Sequence, residues 1–119
     1  LSLTGTGIDI VEVDRIGHLL ARHGRRFLER CFRPGETTSD PESLAARWAA
    51  KEAFLKALGG YVGNIPYRDI EVVRSGEGPV SLKLHGRALT ALERTGTTRI
   101  HLAVSHERGH AVASVILEE

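Results

Sequence analysis

The stretch Arg47-Trp48-Ala49-Ala50-Lys51-Glu52-Ala53-Phe54-Leu55-Lys56-Ala57-Leu58-Gly59-Gly60 constrains this chain more than any other. Ala and Leu favour helix and a Gly pair stops one, so the segment predicts a helix with its C-cap near Gly59. Upstream, Ser39-Asp40-Pro41-Glu42 supplies the start, either as a capping box from Ser39 to Glu42 or as an Asp40 cap with Pro41 in the first helical position. The helix then runs to about Leu58. At about 100° per residue, Leu44, Trp48, Leu55 and Leu58 share one face, Lys51 projects along the middle of that apolar stripe, and Glu52 sits at its edge. A purely solvated charge pair would not be placed there.

At 119 residues the chain suits one domain, 1–119, with one core. Hydrophobic residues at 41% beside 26% charged residues are a globular composition, not a disordered one. No apolar run is long enough to span a bilayer, and the opening Leu1-Ser2-Leu3-Thr4-Gly5 lacks the basic region and apolar core of a signal peptide. The expectation is a cytoplasmic protein with no membrane partner. A formal net charge of +1 gives no reason to expect nucleic acid, so the placing of Lys and Arg matters more than their total. The single cysteine, Cys31, has no internal disulfide partner and lies beside Phe32, which suits a packed or partly exposed thiol.

Thr4-Gly5-Thr6-Gly7-Ile8-Asp9-Ile10-Val11 alternates as a strand, with Ile8 and Ile10 on one face and Gly7, Asp9 and Val11 on the other. Asp is depleted in strands, so Asp9 either has a specific partner at a strand end beside a site or is a turn or cap residue. Asp14 can cap a helix running from Arg15 toward Arg30 that buries Ile16, Leu20, Phe27 and Cys31, with Gly24 weakening its middle. Arg15, Arg22 and Arg26 then fall within about 40° of one another, bordered by Leu19. That basic stripe is either a solvated helix face or a docking surface for an acidic partner.

Pro34-Gly35 marks a turn before Glu36. The loop Gly59-Gly60-Tyr61-Val62-Gly63-Asn64-Ile65-Pro66 lacks the Gly-Lys-Ser/Thr ending of a Walker motif and is either a connector or a site lining built of small residues. Strands are expected at 70–74 and 80–84 around a hairpin loop, and a short helix at 86–94. Residues 100–106 and 111–117 read as an antiparallel pair with small apolar residues on both faces, predicting burial on both sides.

One Cys and scattered His residues give no zinc spacing, and no Gly-x-Ser-x-Gly nucleophile motif occurs. What remains are the carboxylates Asp9 and Glu52, with the cations Arg47, Lys51 and Lys56 near the second. Two carboxylates from different elements are the usual protein share of a magnesium site, phosphate oxygens and water supplying the rest. The plain alternative for Glu52 and Lys56 is a helical surface ion pair worth about 0.3 to 0.5 kcal/mol. For His106 it is a strand-end histidine bonded to a loop.

Taken in order, Gly7-Ile8-Asp9-Ile10-Val11-Glu12-Val13-Asp14-Arg15-Ile16, Phe32 with Glu36, Arg47-Trp48-Ala49-Ala50-Lys51-Glu52-Ala53-Phe54 with Lys56-Ala57, and Val104-Ser105-His106 resemble the holo-acyl-carrier-protein synthases, small bacterial 4'-phosphopantetheinyl transferases. The resemblance implies an α+β fold, an antiparallel sheet packed against a long central helix and shorter helices. It also implies transfer of phosphopantetheine from coenzyme A to a serine of apo acyl carrier protein, releasing adenosine 3',5'-bisphosphate. By the same mapping Asp9 and Glu52 hold Mg2+, and Arg47 contacts the 3'-phosphate of coenzyme A. Lys56 and His106, beside Ser105, contact its pyrophosphate, and Gly59 and Pro79 line its pocket. Asp9, Glu52, Lys56 and His106 are thus the implied catalytic residues.

Arg15, Leu19, Arg22 and Arg26 match positions that meet the carrier protein, and the family's trimer places each active site between two subunits. Trp48 stands where Phe is commoner. The alternative function is a silent adaptor binding acidic proteins through the basic first helix.

Overall fold

The computed structural model describes residues 2–59 and 64–119. Gly60, Tyr61, Val62 and Gly63, the centre of the expected glycine-rich loop, lie outside the described residues.

The first strand, β1 (Leu3–Glu12), is followed by α1 (Val13–His23) and α2 (Arg25–Cys31). A 3-10 turn, Pro34–Glu36, leads into α3 (Pro41–Ala57), and a second one, Tyr67–Asp69, into β2 (Ile70–Arg74). Then come β3 (Val80–Leu84), α4 (Gly86–Glu93), β4 (Arg99–Glu107) and β5 (His110–Glu118). The strands make two antiparallel sheets, one in the order β1-β5-β4 and one a β2-β3 hairpin, so the chain is α+β as the resemblance implies. No helix among the described residues is long and apolar enough to cross a membrane.

The long helix starts on the second of the two expected signals. Asp40 caps α3 by accepting from the Glu42 amide at 3.2 Å, with Pro41 in the first turn, and Ser43 Oγ donates to the other carboxylate oxygen at 2.7 Å. Its buried surface differs from the expected Leu and Trp stripe. Leu44, Ala45, Ala49, Ala50, Lys51, Ala53, Phe54 and Ala57 are buried, whereas Trp48, Leu55 and Leu58 are only half-buried. The reason is a very close approach by the sheet. A Cβ at Gly7 would collide with the Ala53 carbonyl oxygen and lie 2.7 Å from the Ala57 amide, and one at Gly5 would collide with the Ala57 carbonyl. Small residues on both sides thus bring the β1 backbone onto α3. Beneath the helix lie Val11, Ala111, Ala113, Val115 and Leu117, the inward row of β1 and β5.

Two expectations are corrected. The predicted helix from Arg15 to Arg30 is two helices, because Gly24 takes φ +50° and closes α1 by donating to the Leu20 carbonyl. Asp14 lies in the first turn of α1, and Glu12 occupies the cap position without a side-chain bond. The outward faces of β4 and β5 are also not covered within the single chain. His101, Ala103, Ser105 and Ile116 are exposed, as are Ile8 and Ile10 on β1 at 64% and 66%.

Candidate active site

The inward row of β1 runs Gly5, Gly7, Asp9, Val11, and the two glycines that let β1 touch α3 precede Asp9 directly. Asp9 therefore carries the first functional side chain on that row, and it emerges where the Lys56 turn of α3 passes. Lys56 Nζ lies 3.1 Å from Asp9 Oδ1 and 3.0 Å from the Ile8 carbonyl. Glu52, one helical turn back, is half-buried, and its Oε1 accepts a 2.6 Å hydrogen bond from the Tyr67 hydroxyl. So Lys56 pairs with Asp9 across the strand and not with Glu52 along the helix, which removes the simple helical ion pair as the reading of these residues.

Tyr67 was not legible as a site residue. Its ring stacks on Trp48 with centroids 4.9 Å apart and planes at 24°, and Trp48 in turn meets Phe27 at 6.0 Å. Burial pushes the phenol pKa well above its ordinary value, followed by donation to Glu52 and the negative charges of Glu52, Cys31 and Asp9. The hydroxyl is thus a lasting donor, and it feels both carboxylates.

Lys51 lies in neither the carboxylate site nor on the surface. It is fully buried, with Nζ 3.1 Å and 3.0 Å from the two Glu36 carboxylate oxygens, and it donates to the Tyr67 carbonyl at 2.9 Å and the Ile70 carbonyl at 2.6 Å. Glu36, 1% exposed, also accepts from the Arg33 and Val72 amides, each at 2.9 Å. Burial lowers the Lys51 pKa, while the charge and hydrogen bond of Glu36 push the other way. Among the described residues no buried side-chain polar atom lacks a partner.

A second constellation sits on another side of α3. Arg47, which donates to the Glu36 carbonyl, shares a cavity of about 410 Å³ with Ser43, Arg74, Val80, Ser105 and His106. His106 Nδ1 lies 3.4 Å from Glu42 Oε2. Pro79 is the exposed residue immediately before Val80, and Gly59 follows α3 with φ +96°. Arg74 and Ser43 are cavity residues with no signal in the sequence pattern. Arg47 and Lys56 are nine positions apart, about 180° around the helix, so on one chain they face opposite sides. The structure groups Asp9, Glu52 and Lys56, and separately Arg47, Ser105 and His106, without joining the two sets in one cavity.

The predicted docking residues divide as well. Arg15, Leu19 and Arg22 line one surface depression on α1 together with His18, whereas Arg26 is on α2, beyond the break at Gly24. The four residues are therefore carried by two helices and not by the one continuous helix of the projection.

As a metal site the carboxylates fit a hard ion. Asp9 and Glu52 offer oxygen donors, and Asp9 Oδ2 and Glu52 Oε2 take no hydrogen bond from the described residues. Among those residues no cluster of three or more Asp, Glu, His or Cys could hold a metal alone. Two protein oxygens completed by ligand and water suit magnesium and not zinc.

The family model described as the 4'-phosphopantetheinyl transferase superfamily matches residues 5–115. A holo-[acyl-carrier-protein] synthase of Koribacter versatilis is 45% identical over 124 residues, covering 98% of this chain and 99% of that protein. The crystal structure of the holo-[acyl-carrier-protein] synthase from Neisseria meningitidis superposes with a TM-score of 0.89 at 30% identity, covering 99% of this chain and all of that one. The Helicobacter pylori holo-[acyl-carrier-protein] synthase, solved in complex with coenzyme A, gives 0.84 at 29% identity, covering 95% of this chain and 99% of that one.

Proposed function

Since the chain belongs to the holo-acyl-carrier-protein synthases, transferases of the 4'-phosphopantetheinyl transferase superfamily, we propose that as a single domain it moves the phosphopantetheine arm of coenzyme A onto a serine of apo acyl carrier protein, with Mg2+ as cofactor. The observation that carries the reading is the pair of Lys56 and Asp9 beside Glu52, one helical turn from Lys56 on α3: two carboxylates, each with an oxygen that no described residue bonds, and an exposed ammonium. A silent adaptor would need no such group.

In the proposed reaction the serine oxygen bonds to the β-phosphorus, the bond from that phosphorus to the bridging oxygen breaks, and adenosine 3',5'-bisphosphate leaves with the electron pair. Asp9 and Glu52 would hold the ion. When bound, Mg2+ supplies positive charge that offsets charge growing on the phosphoryl oxygens. Lys56 and His106 add cationic or hydrogen-bonding contacts to the pyrophosphate, and Arg47 to the 3'-phosphate, so catalysis consists chiefly of positioning and electrostatics. Glu52 acting through a water is the group offered for the serine proton. Ser105, Gly59 and Pro79 line the path of the ligand.

A homotrimer completes the site. Arg47 and Lys56 face opposite sides of one helix, so one coenzyme A is best held between the carboxylates of one subunit and the Arg47 cavity of the next. The exposed Ile8, Ile10 and Ile116 supply an apolar sheet face for that association. Arg15, Leu19 and Arg22, with Arg26 beyond the break, would receive the acidic carrier protein. A cysteine without a disulfide partner suits the reducing cytoplasm as the setting.

The test is the mass of apo acyl carrier protein after incubation with this protein, coenzyme A and Mg2+. It is expected to rise by the mass of the phosphopantetheine arm, and no gain with any of several apo carrier proteins overturns the reading.

A further inference from the structure

Tyr67 is held from several directions before it reaches Glu52. Its carbonyl accepts from Lys51 at 2.9 Å, the neighbouring Arg68 carbonyl accepts from Arg33 Nε at 2.7 Å, and the Asn64 carbonyl accepts from Arg87 at 3.0 Å. The Asp69 amide closes the turn onto the Pro66 carbonyl at 3.0 Å, and the ring lies flat on Trp48. Lys51 and Arg33, cationic side chains from two separate segments, thus fix the short turn Tyr67–Asp69, Arg87 holds the chain leading into it, and the Tyr67 side chain's one hydrogen bond among the described residues is the 2.6 Å bond to Glu52 Oε1. An aromatic ring at this place needs no hydroxyl to pack, and a half-buried, carboxylate-facing hydroxyl that served packing alone would be an unneeded desolvation cost.

We propose that Tyr67 is a positioning residue, whose hydroxyl occupies one oxygen of Glu52 and fixes the carboxylate so that its other oxygen is presented to the divalent ion shared with Asp9. The proposal rests on the metal reading given above. Chemically it follows from the two-oxygen inventory of a carboxylate. Glu52 has a freely rotating terminal torsion, and a charge-assisted hydrogen bond on Oε1 removes that freedom before the ion arrives. The buried Lys51–Glu36 pair acquires a role at one remove, since Lys51 holds the Tyr67 backbone while Tyr67 holds Glu52.

Trp48 is the only tryptophan in the chain and is stacked on Tyr67, so its fluorescence reports on this contact. The experiment titrates Mn2+ into the protein with coenzyme A present, following free Mn2+ by electron paramagnetic resonance and Trp48 emission in parallel, for wild type, Tyr67→Phe, Glu52→Gln and the double variant. Tyr67→Phe keeps the stacked ring and loses only the hydroxyl. It is expected to weaken Mn2+ binding roughly tenfold, the scale of one hydrogen bond to a charged group, with the KM for coenzyme A unchanged. In the Glu52→Gln background the same change is expected to add nothing further. A Tyr67→Phe protein that binds Mn2+ as wild type does, or that loses coenzyme A affinity and metal affinity equally, overturns the proposal alone. A wild type that transfers the arm with no divalent ion present overturns the metal reading and this proposal with it.

Discussion

Lys51 and Glu52 are consecutive on α3, about 100° apart around the axis, and both are charged, yet the structure treats them in opposite ways. Lys51 is 0% exposed and its three proton positions are spoken for by Glu36, Tyr67 and Ile70, while Glu36 is filled in turn by Arg33 and Val72. Glu52 and Asp9 are at a rim. Among the described residues each has one oxygen engaged and one without a hydrogen bond, and the Lys56 that joins Asp9 is 55% exposed at its side chain. The first network is closed and serves the fold. The second is open and is equipped to take a ligand, so counting unfilled lone pairs separates the two where charge alone does not.

The largest expected effect tests the open network. Glu52→Gln keeps size and shape but removes the anion, and transfer of the phosphopantetheine arm should fall about a thousandfold, the scale lost when one preorganised electrostatic group is removed. Stability should hardly move, because the Tyr67 hydroxyl can still donate to the amide oxygen. Activity is read from the mass-shift time course and stability from urea unfolding. If Glu52→Gln instead unfolds the protein and leaves turnover per folded molecule intact, the contrast with Lys51 collapses.

Lys51→Met probes the closed network and should show the reverse pattern. It leaves Glu36 as a buried charge without its cation and frees two carbonyls, a class of change that costs about 3 to 5 kcal/mol. Urea unfolding gives the loss, and activity per folded molecule should survive far better than in Glu52→Gln. Adding Glu36→Gln should recover part of the loss by removing the stranded charge, but not all, since the Arg33 and Val72 amides then face a weaker acceptor. An additive double variant would mean that the two groups do not act as a pair.

How the sequence read this contrast depended on range. Local signals were clear: Pro41 after Asp40 set the start of α3, the alternation around Ile8 set β1 and which of its faces bears Asp9, and the Pro79-bounded loop set the β2-β3 hairpin. The placing of Lys51 in an apolar stripe flagged it correctly as unusual. Its partner Glu36 could not be named, because the two are brought together by the 3-10 turn and not by spacing. Tyr67 and Arg74 were invisible for the same reason, one following a glycine-rich connection and the other closing a short strand. The Arg15 to Arg26 stripe is drawn on an unbroken helix, and a single glycine at positive φ ends that assumption.

The smallest effect lies at the start of the same helix, where a carboxylate stands in open water. Asp40 is held below its ordinary 3.8, first by the hydrogen bond from the Ser43 hydroxyl, against a smaller opposing effect of burial, and then by the backbone bonds from Glu42 and Ser43. A carboxyl whose folded pKa is depressed binds fewer protons in the fold than in the unfolded chain, so its contribution is complete above 3.8 and is lost as pH falls through the lower folded value. Asp40→Asn keeps an oxygen for the Glu42 amide, and Asn caps about as well as Asp. What it removes is the negative charge at the helix N-terminus, which is favoured there. Wild type should therefore melt slightly above Asp40→Asn at pH values well above 3.8, and the gap should narrow as pH falls past that point. A gap unchanged across that window would show that the charge of Asp40 adds nothing to its geometry, and the scale from closed to open to solvated carboxylates on α3 would lose its lower end.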